Sequence, residues 1–148
     1  MKLSHLKIST IGAPIPKMKM FITGDIFWES KVDKVLGDLE RLDYRSFFED
    51  KDYGESVAEI GLILMCQRAS LNLKQRIRFS KQKKDLSMDI MLDLEQMMQL
   101  DHESRRKIIA AKIVAEVPLV LKKYKFKDFD LPRFSQDLSD WFKQRGWL

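Results

Sequence analysis

The stretch RIRFSKQKKDLSMDI, residues 76–90, decides how this chain folds. It overlaps a segment, 68–84, that carries Arg68, Lys74, Arg76, Arg78, Lys81, Lys83 and Lys84 and no acidic residue. Such a run fits either a basic surface for nucleic acid or a β-hairpin with one wet face. Alternation separates the two. Leu71, Leu73, Ile77 and Phe79 share one side of an extended chain, and Asn72, Lys74, Arg76 and Arg78 share the other. After SKQKKD, Leu86, Met88, Ile90 and Leu92 fall opposite Ser87, Asp89 and Asp93. Period-two alternation on both flanks of a polar turn predicts a hairpin. With Gln82 and Lys83 at the turn, Phe79 faces Leu86, Ile77 faces Met88, Leu73 faces Leu92 and Arg76 faces Asp89. The apolar faces coincide in this register, and a slip of one residue destroys the match. The turn lacks the favoured Asn-Gly pair, so a longer loop with the register displaced by two is the alternative.

Upstream, IGLILMC (60–66) is apolar on both sides of an extended chain, as a central strand covered on both faces should be. A buried helix segment fits the same periodicity; Val57, Ile60, Ile63 and Gly61 favour the strand. KMKMFITGDI (17–26) alternates and predicts a strand ending at Gly24. Pro14 and Pro16 interrupt regular structure before it. Residues 1–17 are therefore read as an N-terminal extension or edge segment, and residues 18–148 as a single domain. Ser30, with Asp33 in the capping-box position, starts a helix whose stripe is Val32, Val35, Leu36, Leu39 and Leu42. It stops before the charged loop EDKDYGES.

Downstream, Asp101 is an N-cap with Glu103 in the first turn of a long helix. Ile109, Ile113, Val117, Val120, Leu121 and Tyr124 form its buried stripe, and Pro118 is expected to kink or split it. Asp130 and Pro132 start a last helix with the stripe Phe134, Leu138, Trp141 and Phe142, ended by Gly146. The order of elements predicts an α+β fold: a mostly antiparallel sheet of about four strands with helices packed on one face.

The 148 residues suffice for one domain with a real core, and 45% hydrophobic with 33% charged residues is ordinary globular composition. The net charge of +5 favours an acidic partner over a basic one. No apolar run approaches the roughly 20 residues that span a bilayer. The N-terminal MKLSHLKISTIGAPIPK lacks the continuous apolar core of a signal peptide. The single Cys66 sits in an apolar run, as a buried free thiol does. Together these predict a cytoplasmic protein without membrane association.

Catalytic chemistry finds little to build on. His5 and His102 are the histidines, one in the extension and one opening a helix, so a triad or metal cluster has few components. Asp25, Glu29 and Asp33 read as a solvated loop leading to a helix N-terminus. Gly24 stands without the second glycine and lysine of a phosphate loop. The expectation is no enzyme, no cofactor and no metal. Nucleic-acid binding draws on the hairpin cations, on KKYKFK (122–127) and on the net charge. It needs cations and exposed aromatics on one surface. Phe79 falls on the apolar face, away from Arg76 and Arg78, while Asp89 and Asp93 offset the basic face. A basic nucleic-acid-binding accessory protein is thus the alternative reading.

Ordered short motifs run through the chain: KMFITGDI, KDYGES, the hairpin RIRFSKQKKDLSMDI and KFKDFDLPRFSQDL. In this order, from Met18 to Phe142, the sequence resembles the immunity protein 44 family of bacterial polymorphic toxin systems. Thr23-Gly24-Asp25 matches a small residue, glycine, acid step after the first strand. Lys81 to Asp85 matches a lysine-rich hairpin turn, and Lys127 to Asp130 the approach to the last helix. Residues 1–17 have no counterpart in that pattern, and Asp25 stands where glutamate is expected. The resemblance implies a cytoplasmic, non-enzymatic protein that binds a cognate toxin domain and occludes its functional surface. Candidate partner-binding residues are Asp25, Phe27, Trp28 and Glu29 in the first loop and Lys81, Lys83 and Lys84 at the hairpin tip. The basic charge points to an acidic surface on that toxin domain. Trp28 also suits a core position, and Trp147 is either a further anchor or a lid on the last helix.

Overall fold

A computed structural model describes the backbone of residues 5–10 together with residues 51–68, 70 and 72–148. The strand expected at 17–26 and the helix expected from Ser30 lie outside the described residues. Within them the chain runs β1 (His5–Thr10), β2 (Glu59–Gln67), β3 (Ile77–Ser80), β4 (Asp85–Asp93), α1 (Leu94–Gln99), α2 (His102–Tyr124) and α3 (Leu131–Gln144).

The fold is α+β, but its sheet is not the mostly antiparallel one expected. The strands legible in the sequence, β2, β4 and β3, form a mixed open sheet. β1 flanks β2 at the sheet edge, from the segment read as an N-terminal extension or edge segment, giving the order β1-β2-β4-β3. β1 pairs parallel with β2, and β2 pairs parallel with β4; β3 pairs antiparallel with β4. The cause is the position of the hairpin. β3 takes the far side of β4, so the returning strand β4, not β3, lies beside β2. Alternation dictates which side chains face the core in either arrangement, so it does not choose between them. The doubly apolar run 60–66 matches its place between two parallel neighbours.

The core is built from matched rungs. Ile60 pairs with Leu86, Leu62 with Met88, Leu64 with Ile90 and Cys66 with Leu92, and all are buried. At ~2 kcal/mol for each large apolar side chain taken out of water, these rungs supply much of the sheet's stability. The hairpin adopts the register read from alternation, with Phe79 against Leu86 and Ile77 against Met88. The connection is longer than two residues: Ser80 and Asp85 close the ladder, and Lys81 to Lys84 form the turn.

β3 is shorter than alternation suggests, and Asp89 explains where it stops. Its N–H donates to the Arg76 carbonyl at 2.9 Å. The return bond from the Arg76 N–H goes to the Asp89 carboxylate, Oδ2 at 3.1 Å, instead of to its carbonyl. The carbonyl accepts from Gln75 Nε2 at 2.6 Å, which also donates to Glu116 of α2 at 3.0 Å. Side chains thus take over the ladder before Ile77, and Leu73 and Leu92 are not ladder partners. The Arg76 Nε lies 2.8 Å from Asp89 Oδ2, with only 2% of the Asp89 side chain exposed. This side of the sheet, read from sequence as solvated, is therefore covered at Asp89 and at Met65.

Helices lie against the opposite face, where Phe79 meets rings from the end of α2. α1 was not anticipated. The Asp93 carboxylate caps it by accepting from the Glu95 N–H, and Leu94 and Met97 are buried. In α2 the Asp101 carboxylate accepts from the Ser104 N–H at 2.8 Å. Its buried residues are Ile109, Ala110, Ile113, Val117, Val120 and Leu121. Pro118 does not split the helix, which is continuous over 23 residues. Proline in a helix interior costs about 3 kcal/mol; burial of Val117, Val120 and Leu121 around it offsets that. Tyr124, expected in the stripe, is 39% exposed. The helix ends there, with Lys125 in the left-handed region at φ 52°, so the ring stands past the sheet's shelter. α3 packs against α2 and buries Phe134, Leu138, Trp141 and Phe142. Asp130 caps it and Pro132 lies in its first turn. Trp147 is 5% exposed, which makes it a lid and not an accessible anchor. Burial pushes the Cys66 thiol up to about 12. Among the described residues no helix is long and apolar enough to cross a membrane.

Two outcomes follow from this arrangement. Asp89→Ala should destabilise the protein by about 3 kcal/mol in urea unfolding, because it strips a mostly buried guanidinium and a backbone N–H of their acceptor. Adding Arg76→Leu should recover part of that loss, and simple additivity of the two changes would refute the coupling. Asp101 is held below its ordinary value of 3.8, chiefly by the Ser104 N–H. A depressed folded pKa contributes stability that is present above the unfolded value and lost as pH falls through the folded one. The urea midpoint should therefore fall in that acid window, and less steeply in Asp101→Asn, whose amide oxygen still caps the helix.

Candidate functional site

The hairpin tip lies at the end of the molecule where β2 and β4 begin and α2 finishes. Its geometry is fixed by Ser80. The Ser80 carbonyl accepts from the Lys84 N–H at 2.7 Å, and its hydroxyl from the Lys83 N–H at 3.2 Å. Lys84 sits at φ 58°, a conformation that a four-residue turn requires of its last residue and that glycine adopts at less cost. Its carbonyl accepts from the N–H groups of Ala58 at 2.8 Å and Glu59 at 3.3 Å. The tip is thereby tied to the start of β2. Lys81 and Lys83 are exposed, whereas Lys84 is partly covered and its backbone braces the turn. Asp25, Phe27, Trp28 and Glu29 lie outside the described residues.

Beside the tip, two of the sequence motifs meet. KDYGES (51–56) is bound to KDFD (127–130) by four hydrogen bonds, each donated by a backbone N–H, two to carbonyls and two to short side chains. The Glu55 N–H donates to Asp128 Oδ2 at 2.9 Å and the Ser56 N–H to the Asp128 carbonyl at 3.0 Å. The Asp128 N–H returns a bond to Ser56 Oγ at 3.0 Å, and the Asp130 N–H donates to the Tyr53 carbonyl at 2.7 Å. Gly54 is required in this clamp. It sits at φ 108°, and a Cβ there would stand 2.5 Å from the Asp128 carbonyl oxygen. Tyr53 is buried and donates its hydroxyl to Asp137 Oδ2 at 2.6 Å. Burial, reinforced by that carboxylate, raises the phenol far above its ordinary value, so Tyr53 serves as a neutral donor. The acids of the second motif are likewise occupied, Asp128 by the Glu55 N–H and Asp130 by the Arg133 N–H.

From the clamp a row of rings leads to the surface. Tyr53 meets Phe134 edge-on at 5.3 Å, and Phe134 lies 5.6 Å from Phe129. Phe129 follows Phe126 at 6.3 Å, and Phe126 packs 4.8 Å from Phe79 of β3. Tyr124 completes the row, stacked on Phe126 with an interplanar angle of 12° and 5.5 Å from Phe79. Burial decreases along the row, from the enclosed Tyr53 and Phe134 to the half-buried Phe126 and Phe79 and then to Tyr124. Ile77, Val120, Lys123 and Tyr124 line an open depression of about 270 Å³. Leu119, nearby on α2, is 58% exposed.

Two basic segments far apart in sequence converge on Phe79. Lys81 and Lys83 follow just beyond it in the turn, Lys123 lines the depression beside Tyr124, and Lys122, Lys125 and Lys127 neighbour Tyr124 and Phe126 along the chain, all exposed. Among the described residues none of these lysines forms an ion pair. Sequence reasoning chose the tip as a contact and weighed KKYKFK only for nucleic acid, placing Tyr124 in the core. The interleaving of lysine and aromatics in KKYKFK was the signal for a mixed surface, but only the helix end shows which rings face outward. The arrangement suits adhesion through apolar and charged contact.

The family model described as immunity protein 44 matches residues 18–144. That span contains the clamp, the hairpin tip and the row of rings. Neither a curated protein nor a solved structure matches the chain.

The clamp can be broken at one atom. Gly54→Ala should cost about 2 kcal/mol or more in urea unfolding, from a disallowed φ and a collision with rigid backbone. Ser56→Ala, which removes a single hydrogen bond, should cost about 1 kcal/mol. Equal effects of the two would contradict the steric account.

Proposed function

Since the chain belongs to the immunity protein 44 family, we propose that it binds a cognate bacterial toxin domain and neutralises it by covering the toxin's functional surface. The family match over residues 18–144 carries this reading. The protein acts by binding alone, in the cytoplasm of the cell that makes the toxin, and contributes no catalytic step or cofactor. Such inhibition needs an interface with a few well-packed anchors and a charged rim. The tip lysines Lys81, Lys83 and Lys84 are proposed contacts, as are Asp25, Phe27, Trp28 and Glu29. A chain of net charge +5 is matched to a toxin surface of acidic character.

Co-expression tests the reading. The neighbouring genes are expected to encode a toxin domain, which should arrest growth of a bacterial host when expressed alone. Expression of this chain should restore growth, and the two proteins should co-purify. Continued arrest with no co-purification would overturn the proposal.

A further inference from the structure

We propose that the toxin-facing surface is centred on the aromatic shelf Tyr124–Phe126–Phe79 at the end of α2, and that it takes an acidic protein surface with an apolar centre. This rests on the immunity reading and adds the location and chemistry of the contact. The shelf has the composition of a binding centre: an aromatic ring 39% exposed and an apolar depression of about 270 Å³ beside it, lined by Ile77, Val120, Lys123 and Tyr124. Tyrosine offers large contact area at small entropic cost, which is why it recurs among binding anchors. Around it stand Lys81, Lys83, Lys122, Lys123, Lys125 and Lys127, exposed and without ion pairs among the described residues. A cluster of ammonium groups beside an apolar centre is complementary to carboxylates beside an apolar centre.

Helix electrostatics explain only part of this lysine cluster. Lys122 and Lys123 complement the negative end of the α2 dipole. The dipole does not explain Lys81 and Lys83, which belong to another element, nor the exposed Tyr124. Nucleic acid also likes cations beside rings, but it needs ring faces open to bases. Here Tyr124 and Phe126 stack on each other, and Phe126 is further flanked by the edges of Phe79 and Phe129. The shelf offers a hydrocarbon surface more than intercalation slots, which favours a protein.

The test uses the full chain and the toxin domain encoded beside it, with affinity measured by titration calorimetry at two salt concentrations. Tyr124→Ala and the pair Lys122→Glu/Lys123→Glu should each weaken binding tenfold or more, and the charge pair more so at low salt. The double charge variant lies wholly on the surface, so it remains informative if Tyr124→Ala lowers the melting temperature. Lys143→Glu is the control. Trp147 at the end of α3 covers Arg106, so Lys143 lies near the start of α2, roughly 27 Å from Tyr124 at 1.5 Å per helical residue. It should leave affinity unchanged. Wild-type binding with shelf variants within about twofold would refute this surface while leaving the immunity reading intact. Failure of the wild-type chain to bind the toxin domain would refute both. Binding of a labelled single-stranded oligonucleotide, lost in the same variants while toxin affinity is untouched, would reassign the shelf to nucleic acid and refute the proposal.

Discussion

The carboxylate of Asp89 is the constraint on which the described part of the fold turns. It is almost fully buried, so it must be satisfied, and its partners are the backbone and guanidinium of Arg76. Satisfying it fixes three things together. It locks β3 to β4 in the one register that also pairs Phe79 with Leu86. It ends the ladder at Ile77 by diverting a backbone bond to a side chain. Through Gln75 it ties that edge to Glu116 of α2. Isolated charge inside a protein costs several kcal/mol, so a mispaired hairpin that stranded Asp89 would be strongly disfavoured. A residue that sequence reading treats as a neutralising partner on a wet face therefore specifies the hairpin's geometry.

Fixing the hairpin also fixes the far end of the molecule. The register places Phe79 where the last turn of α2 arrives, and the turn that follows projects Lys81 and Lys83 beside it. The clamp between KDYGES and KDFD holds the chain as it leaves α2, which sets the positions of Phe126 and Phe129. Its bonds are donated by backbone N–H groups to carbonyls and to the short side chains of Asp128 and Ser56, so the segment is held without occupying the neighbouring lysines. Structure and surface chemistry are separated: acids make the internal bonds, and lysines remain for solvent or a partner. That division is what an inhibitor by occlusion requires. It must present preorganised apolar area with a charged rim, and rigidity limits the entropy lost on binding.

Much of this was legible in the sequence, for identifiable reasons. The hairpin register was readable to within a shift of two, because a slip of one residue would turn both apolar sets outward. The caps at Asp101 and Asp130 were readable because a short acidic side chain before an apolar repeat satisfies orphan N–H groups locally. α1 was missed because it is barely more than one turn, with only Leu94 and Met97 to mark a face. The continuity of α2 through Pro118 was missed because local cost was visible and the compensating burial was not. Of the candidate contacts, the tip lysines were legible as charge in a turn. Tyr124 was not, because helical spacing places it on the buried stripe and only the end of the helix removes its cover.

The sequence by itself determined the α+β class, the apolar faces of β3 and β4 and the doubly apolar character of β2, the starts of α2 and α3, and the order of motifs that marks the family. These depend on side-chain period and on bonds between residues a few positions apart. Tertiary structure alone decided that β4 lies between β2 and β3, which makes the sheet mixed. It also decided that residues 51–56 clasp 127–130, and that two basic segments meet at one ring. Those features depend on which surfaces meet after the chain turns back on itself. Side-chain periodicity is the same for every neighbour order that buries the same faces, so it carries no information about that choice.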